Sequence, residues 1–257
     1  MIKAKVLGSG DSAGIPVLGC QCLTCKSLGV RKLRPSIAVF TGQNWFTIDC
    51  GPDFKEQTLT YDFSNFVGVC FTHAHLDHIL GVPELRDVAR KQNRRLTVYL
   101  TKETHEMLLK RFPDRISLNS LNDDVEKLAC VLINPFEDFI VGSVTITPVL
   151  LRHGAQKTTG FRIGDFAYCT DANFIPEETL DRLVNLKNLI LDGGWNKNSK
   201  DHFGIKDAVL VGEKLRVKNL YLTHIGHEFD FESFARIAPS WVSILEDNQE
   251  IEIDLAR

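Results

Sequence analysis

The chain alternates between short apolar runs and longer stretches in which apolar residues recur every three or four positions. Residues 67–71 form a continuous apolar run that predicts a buried strand, and residues 76–88 have the spacing of an amphipathic helix. Applied along the chain, this distinction predicts strands at 2–7, in a hairpin at 36–49, and at 67–72, 96–100, 139–149, 160–163, 166–170, 188–192 and 219–223. It predicts helices at 54–61, 77–91, 102–112, 177–184, 204–215 and 231–238, and an irregular stretch at 119–124. Strands grouped as hairpins but interrupted by helices favour two mixed sheets with helices outside.

A dense cluster of metal-competent side chains follows one of the predicted strands. His73, His75, Asp77 and His78 occur within six residues. A single histidine on an apolar element is usually a satisfied core residue, but three histidines and an aspartate would each need a buried partner. Because the cluster lies at a strand-to-helix turn, it indicates a metal or catalytic site. Asp49, at the end of another predicted strand, could orient one of these histidines.

The spacing within this cluster indicates two metal ions rather than one. His73 and His75 alternate along an extended segment and therefore share a face, since strand side chains repeat every second residue. Asp77 and His78 are adjacent where the helix begins, so they point elsewhere. Two ions about 3.5–4 Å apart clamp the attacking and leaving oxygens of a displacement. The sequence therefore predicts a dinuclear hydrolase.

A second cluster consists of three cysteines in a loop at about 19–26. Cys20, Cys22 and Cys25 could form a redox cluster, part of a disulfide framework, or three quarters of a tetrahedral zinc site. A bridge from Cys20 to either neighbour would be strained, and the chain has an odd total of seven cysteines. A closed Cys₃His zinc site fits better, and its fourth ligand must come from elsewhere. His227 is the candidate for that ligand.

Composition and charge limit the classes of protein. Of the 257 residues, 44% are hydrophobic and 25% are charged, as in an ordinary globular protein, and we expect one domain over residues 1–257. The formal charge of −3 gives no bulk attraction to nucleic acid. We expect no signal peptide, no membrane span and a cytoplasmic location, where the clustered thiols stay reduced. His105 lies among charged residues of a predicted helix, so we expect it to be solvated.

The His-x-His-x-Asp-His pattern resembles the metallo-β-lactamase superfamily, and the resemblance extends over nearly the whole chain. It implies an α/β fold, the αββα sandwich of two mixed β-sheets with helices on the outer faces. It also implies three further ligands, His153, Asp171 and His224, each of which follows an apolar strand-like run. In this assignment one ion is held by His73, His75 and His153, the other is held by Asp77, His78 and His224, and Asp171 bridges the two.

The Cys-x-Cys-x-x-Cys loop and the late Thr-His-x-x-His segment resemble the PhnP-type branch, named for the cyclic phosphodiesterase of the carbon–phosphorus lyase pathway. Residues 48–54 and 160–165 also resemble that branch. The branch implies that His224 serves the catalytic centre and that His227 completes the structural zinc site. It further implies that His202 is a general acid, because an imidazole titrates near neutrality and can protonate a leaving alkoxide. The alternative is a surface histidine that caps the helix at 204–215.

Together these features imply a dinuclear hydrolase that cleaves cyclic or other small phosphodiesters through a hydroxide between two Zn²⁺ or Mn²⁺ ions, with one structural Zn²⁺ in addition. Asp77 and His202 are the expected catalytic residues. The expected partner is a small phosphodiester, with no membrane and no nucleic-acid polymer, and a homodimer is left open.

Two other classes of function are kept as alternatives. One is a hydrolase of the same fold that acts on a lactone, a thioester or RNA. The other is a binding protein without activity, like the pyrroloquinoline-quinone biosynthesis protein B, whose branch shares the three-cysteine loop. In that branch the His-x-His-x-Asp-His set is altered, whereas here it is intact. The intact set favours an enzyme.

Overall fold

Two β-sheets packed face to face form the centre of the molecule. The computed structural model describes residues 1–27, 29–113, 116–117, 128–195 and 199–255. One sheet has eight strands and the other has seven, and helices pack on both outer surfaces. The αββα sandwich implied by the resemblance is therefore confirmed. None of the helices in these ranges combines the length and the apolar character that a bilayer crossing requires.

The described strands are, in chain order, β1 (Ile2–Gly8), β2 (Ser36–Phe40), β3 (Trp45–Ile48), β4 (Phe66–Cys70), β5 (Thr97–Leu100), β6 (Ile116–Ser117), β7 (Leu128–Leu132), β8 (Phe139–Val141), β9 (Val144–His153), β10 (Gln156–Ile163), β11 (Phe166–Cys169), β12 (Asn188–Asp192), β13 (Asn219–Thr223), β14 (Val242–Ile244) and β15 (Glu250–Ile253). The first sheet has the order β15-β1-β2-β3-β4-β5-β7-β6, and the second has the order β14-β13-β12-β11-β10-β9-β8. The described helices are α1 (Leu23–Lys26), α2 (Phe54–Thr58), α3 (Leu76–Ile79), α4 (Val82–Lys91), α5 (Lys102–Arg111), α6 (Glu177–Arg182), α7 (Ile205–Leu215) and α8 (Phe231–Ile237), with a 3₁₀ helix at Phe63–Asn65.

Alternate residues of the strands fill the space between the two sheets. Along β1, Ala4 and Val6 are fully buried in this central layer. Lys3, which directly precedes Ala4, belongs to the opposite face of the strand and places its ammonium group over the Phe40 ring. Tyr168 enters the central layer from the second sheet and is also fully buried. The period-two pattern of the strands thus joins the sheets through one apolar core.

Each sheet is covered on its outer surface by helices. Helix α4 buries Val82, Leu85 and Ala89 against the first sheet, a spacing that places all three on one helical face. Helix α7 buries Ala208 and Leu215 against the second sheet in the same way. Both faces of each sheet are therefore covered, and a functional site can form only at the sheet edges and in the loops.

The helix predicted at 77–91 is wrong in one respect, because it is two helices, α3 and α4. Gly81 lies at the break, where a Cβ atom would be only 2.5 Å from Sγ of Cys50. Pro83 fits the first turn of α4 but has no N–H with which to continue α3. Because of this break, Asp77 and His78 lie on the short helix α3, whose direction does not have to follow that of α4.

Several strands differ from the prediction. The strand predicted at 139–149 is the hairpin β8–β9, and strands β6, β7, β14 and β15 lie outside the predicted strands. These four have two, five, three and four residues, which is too short to show a clear period. The irregular stretch predicted at 119–124 lies outside the described residues.

The candidate site lies where parallel strands end. Strands β3, β4 and β5 are parallel in the first sheet, and β11, β12 and β13 are parallel in the second. Carboxyl ends of parallel strands meet at one sheet edge. There Asp49, Asp171 and His224 have left-handed backbones with φ of 65°, 51° and 62°. This conformation costs free energy in residues other than glycine, and it clusters at functional sites.

Candidate metal centre

Four side chains from three segments form the first potential set of metal ligands. His73, His75, His153 and Asp171 each offer one ligand atom, and these atoms all lie within 4.8 Å of one another. Nε2 of His73 is 3.6 Å from Oδ2 of Asp171, and Nε2 of His153 is 3.8 Å from the same oxygen. The structure therefore brings together residues that are almost 100 positions apart in the sequence.

The second potential set contains Asp77, His78, His224 and again Asp171, also within 4.8 Å of one another. Nε2 of His78 is 3.2 Å from Oδ1 of Asp171 and 3.4 Å from Oδ2 of Asp77. Nε2 of His224 is 3.5 Å from Oδ2 of Asp171 and 3.6 Å from Oδ2 of Asp77. Asp171 belongs to both sets, which is the arrangement that a bridging carboxylate requires.

The chemistry of the two sets fits a pair of divalent metal ions. With metal–ligand bonds of about 2.0–2.1 Å, neighbouring ligands of a tetrahedral site lie about 3.3 Å apart, and the spacings here are similar. The Nε2 atoms of His73, His78 and His224 are buried and make no hydrogen bond to any described residue. Leaving three such nitrogens without a partner would be costly, and binding to the two metal ions would remove that cost.

A hydrogen-bond network behind the ligands orients two of the histidines. Oδ2 of Asp49 is 2.7 Å from Nδ1 of His78, as expected for a carboxylate that positions a histidine. Asp49 also accepts hydrogen bonds from the Thr72 backbone N–H at 2.9 Å and from the Thr72 hydroxyl at 3.0 Å. Oγ1 of Thr72 is in turn 2.9 Å from Nδ1 of His73. With both Nδ1 atoms engaged, Nε2 is the nitrogen left to bind a metal.

The third histidine of the first set is held in the same way by a backbone group. Nδ1 of His153 donates to the carbonyl oxygen of Asp201 at 2.6 Å. The tautomer is therefore fixed with Nε2 toward Asp171, since only one ring nitrogen of a neutral imidazole carries the proton.

Buried carboxylates and imidazoles of the centre shift one another's pKa. Burial by itself would raise the pKa of Asp77, but the His78 and His224 imidazoles hold it well below its usual value. Burial by itself would lower the pKa of His224, but the carboxylates of Asp171 and Asp77 raise it to about 9. Asp77 is therefore ionised at neutral pH, and a metal ion bound by His224 would displace a proton from that ring.

His202 lies beside both ligand sets. Its ring centroid is 4.6 Å from that of His153 and 4.6 Å from that of His224. Its Nδ1 atom is 2.6 Å from Oδ2 of Asp192, a fully buried carboxylate that also accepts the Ala172 N–H at 3.0 Å. The ring thus contacts the centre and, through Nδ1, Asp192.

Asp192 is the residue of this centre that the sequence reasoning missed. It ends β12, whose five residues are all buried. An acidic side chain at the carboxyl end of an apolar strand is the same signal that Asp49 and Asp171 give. An acidic residue after an apolar strand was thus visible in the sequence. A single aspartate, however, has no spacing to other ligands that would mark it as part of a site.

The three clustered cysteines surround His227. Nδ1 of His227 is 3.3, 3.5 and 3.6 Å from the Sγ atoms of Cys20, Cys22 and Cys25. With zinc bonds of about 2.3 Å to sulfur and 2.0–2.1 Å to nitrogen, tetrahedral ligands would lie about 3.6 Å apart. The three thiols form no disulfide. The four side chains have the spacing of a closed zinc site.

The surroundings of Cys22 lower the pKa of its thiol and so favour the thiolate form that binds metal. The Cys25 backbone N–H, together with His227, lowers the pKa of the Cys22 thiol to about 6. Burial raises the pKa of the Cys25 thiol. Because thiolate is the form that binds metal, Cys22 offers a ligand already near neutral pH.

Backbone hydrogen bonds join the N-terminal loop to the segment that carries His224. The Ile225 N–H donates to the Ser9 carbonyl at 3.0 Å, and the Asp11 N–H donates to the Ile225 carbonyl at 3.1 Å. His227 contacts the cysteines while His224 contacts Asp171. An ion held by the cysteines would therefore fix the loop that presents His224.

His105 contacts neither cluster, and the expectation that it is solvated is wrong. Its side chain is 2% exposed on the inner face of helix α5, next to the buried residues Thr104 and Leu108. Burial lowers the pKa of His105. The charged neighbours that suggested exposure occupy the opposite face of the same helix, so composition alone was misleading.

Comparisons with known proteins relate this chain to a family and to solved structures. A family model described as the beta-lactamase superfamily domain matches residues 44–225. The crystal structure of a new diphosphatase from the PhnP family has a TM-score of 0.90 and 30% sequence identity, and the match covers 99% of both chains. The structure of Zn²⁺-bound PqqB from Methylobacterium extorquens has a TM-score of 0.72 at 18% identity, covering 98% of this chain and 100% of that one.

The curated relatives are longer than this chain. The octanoyltransferase of Porphyromonas gingivalis is 28% identical over 230 residues, which are 88% of this chain but 46% of that protein. The chain spans less than half the length of each curated relative it matches. The similarity therefore concerns one part of each of those proteins.

Proposed function

Since this chain belongs to the beta-lactamase superfamily and to its PhnP-like branch, we propose that it hydrolyses small phosphodiesters with two divalent metal ions. The observation that carries this proposal is Asp171, whose carboxylate oxygens lie 3.2 Å from Nε2 of His78 in one ligand set and 3.6 Å from Nε2 of His73 in the other. When bound, the two ions supply a nucleophile from water and neutralise the oxygens on phosphorus.

The ligands are divided between the ions as the family resemblance implies, and Zn²⁺ or Mn²⁺ suits a set of imidazoles and carboxylates. Asp77 is assigned as a ligand and as a catalytic residue, because its Oδ2 atom lies 3.4 Å from Nε2 of His78 and 3.6 Å from Nε2 of His224, within the second ligand set. The structural Zn²⁺ is held separately by Cys20, Cys22, Cys25 and His227.

His202 acts as the general acid in this proposal. The N–H at Nδ1 donates to Asp192, so Nε2 is the nitrogen that gives a proton to the leaving oxygen. Asp192 holds the ring orientation, in the way a buried carboxylate orients a catalytic histidine in other hydrolases. The expected substrate is a cyclic or other small phosphodiester with an alkoxide leaving group.

Cleavage of a diphosphate bond is the second candidate, and it is favoured by the 30% identity to a PhnP-family diphosphatase over 99% of the chain. Both reactions attack phosphorus and expel an oxygen, so the same residues serve in either. Thioester hydrolysis has weaker support, because the octanoyltransferase relative is matched over only 46% of its length. A role in binding alone is disfavoured by the complete ligand sets.

Purified protein loaded with Zn²⁺ or Mn²⁺ should hydrolyse bis(p-nitrophenyl) phosphate and 2′,3′-cyclic AMP. Turnover should disappear after chelation and return when the metal is restored. The same assay should include a dinucleoside diphosphate and an octanoyl thioester. Faster cleavage of the diphosphate would favour the second candidate, and cleavage of the thioester alone would contradict both phosphorus reactions.

We expect His202→Ala to slow hydrolysis of 2′,3′-cyclic AMP by about 10²–10⁴-fold, the range that general acid–base catalysis typically contributes. A p-nitrophenyl ester should be affected much less, because nitrophenolate leaves without a proton. His202→Gln is the matched variant, since an amide can still donate to Asp192 but cannot transfer a proton to the substrate. Steady-state rates on the two substrates provide the measurement.

Metal content should be unchanged in both His202 variants. Equal losses on the alkyl and nitrophenyl substrates would show that His202 positions the substrate instead of protonating it. Loss of a metal ion would show that His202 is a ligand.

A further inference from the structure

A series of nearly parallel rings runs outward from the metal centre. The rings of His78 and His224 lie 6.4 Å apart with an interplanar angle of 7°. His202 stacks on His224 at 4.6 Å and 19°. Trp195 stacks on His202 at 5.5 Å and 22°, and Trp195 is the outermost ring of the series. Trp195 therefore stacks on His202 on one side, and the residue as a whole is 36% exposed.

The backbone fixes the position of this indole. The Trp195 carbonyl accepts the Ile205 N–H at 3.0 Å, which ties it to the start of helix α7. Gly194 packs so closely on the segment of His224 that a Cβ atom would lie 1.9 Å from the His224 carbonyl oxygen. The indole is therefore presented by an anchored segment that also contacts the metal centre.

We propose that Trp195 is a binding site for a nucleobase, so that the substrates of the proposed hydrolase are nucleotide phosphodiesters. The inference rests on the proposed function, because it assigns His202 to the leaving oxygen. The leaving group is attached to the oxygen that His202 protonates, and the indole of Trp195 stacks on the His202 ring at 5.5 Å. A planar base there continues the series of parallel rings by one more.

The chemistry of the surface favours a base over other leaving groups. Stacking of a base on an aromatic side chain is sequence-tolerant, since every base has a π-face. An acyl chain would gain only from burial of area and would have no reason to prefer a ring that stacks in parallel with its neighbours. A small alkyl group would cover little of the indole.

The first test compares two substrates that share the reacting bond and differ in the base. One is 2′,3′-cyclic AMP, and the other is methyl ribofuranoside 2,3-cyclic phosphate, which has no base. Wild-type protein should prefer the nucleotide in kcat/KM by about tenfold or more, the order of effect that stacking on an aromatic gives. Trp195→Ala should reduce this ratio to near one, whereas Trp195→Phe should retain most of it.

The ratio of kcat/KM between the two substrates distinguishes binding of the base by Trp195 from packing of Trp195 against His202. Because Trp195 also packs on His202, Trp195→Ala is expected to slow both substrates somewhat, and only the additional loss on the nucleotide reports the base. Equal losses on the two substrates, or a wild-type protein without a preference, would overturn the proposal.

The second test needs no turnover and no metal. In protein stripped of metal, AMP should quench tryptophan fluorescence and ribose 5-phosphate should not. The quenching should vanish in Trp195→Phe and persist in the matched control Trp241→Phe, since Trp241 packs near Gly212 on helix α7. If neither cyclic phosphate is hydrolysed but AMP still quenches Trp195, the proposed function fails and the base site stands. Absence of quenching, or its persistence in Trp195→Phe, would overturn the base site.

Discussion

Asp171→Ala should reduce hydrolysis of 2′,3′-cyclic AMP by at least about 10³-fold, because both ligand sets lose their shared carboxylate and several kcal/mol of charge stabilisation with it. Asp171 oxygens lie within 3.8 Å of imidazole nitrogens from both sets. Elemental analysis is the second measurement. Wild-type protein should contain about three ions per chain and the variant about one, the zinc of the cysteine site.

The comparison needs a variant that weakens the centre without removing a ligand. Asp49→Asn is suitable, because Asp49 orients His78 through a 2.7 Å contact but touches no metal in the proposed assignment. Loss of such a supporting group typically costs about 10–100-fold in metal affinity or activity. Asp171→Ala protein that keeps both activity and three ions would show that Asp171 does not bridge a dinuclear site.

The predictable part of this centre follows from how strands present side chains. The pair His73 and His75 could be located from spacing alone, since two residues of an extended segment share a face. His153 and Asp171 needed the family resemblance, because nothing local relates a histidine that ends β9 to an aspartate after β11. Sheet order brings these segments together, and sheet order is a long-range property that periodicity does not contain.

The missed features are those in which tertiary contacts override the local pattern. The helix break at Gly81 is set by contact with Cys50, which is 31 positions away. Asp192 acquires its importance only when β12 pairs between β11 and β13 and His202 folds back onto it. Strand β15 pairs with β1, which lies at the other end of the chain. Its four residues are too few for the sequence to predict this pairing.

The last prediction separates two histidines that lie three positions apart. His227→Ala should lower the melting temperature by roughly 10 °C, since a structural zinc site contributes folding free energy directly and about 1 kcal/mol corresponds to about 2–4 °C at this size. His224→Ala should abolish hydrolysis and leave the melting temperature nearly unchanged, because a site with an open coordination position mainly serves the reaction. Scanning calorimetry and the cyclic AMP assay on both variants provide the measurement.

The physical reason for this difference is the path of the N-terminal loop. Without His227 the cysteine loop loses its link to the chain around Ile225, which is otherwise held to Ser9 and Asp11 by two backbone hydrogen bonds. Those two bonds keep His224 partly in place, so His227→Ala should retain some activity at low temperature and lose it on mild heating. Zinc should also be released from the variant by a chelator that leaves the wild-type cysteine site loaded. If both variants lose activity alone and melt with identical curves, His227 does not complete a structural zinc site.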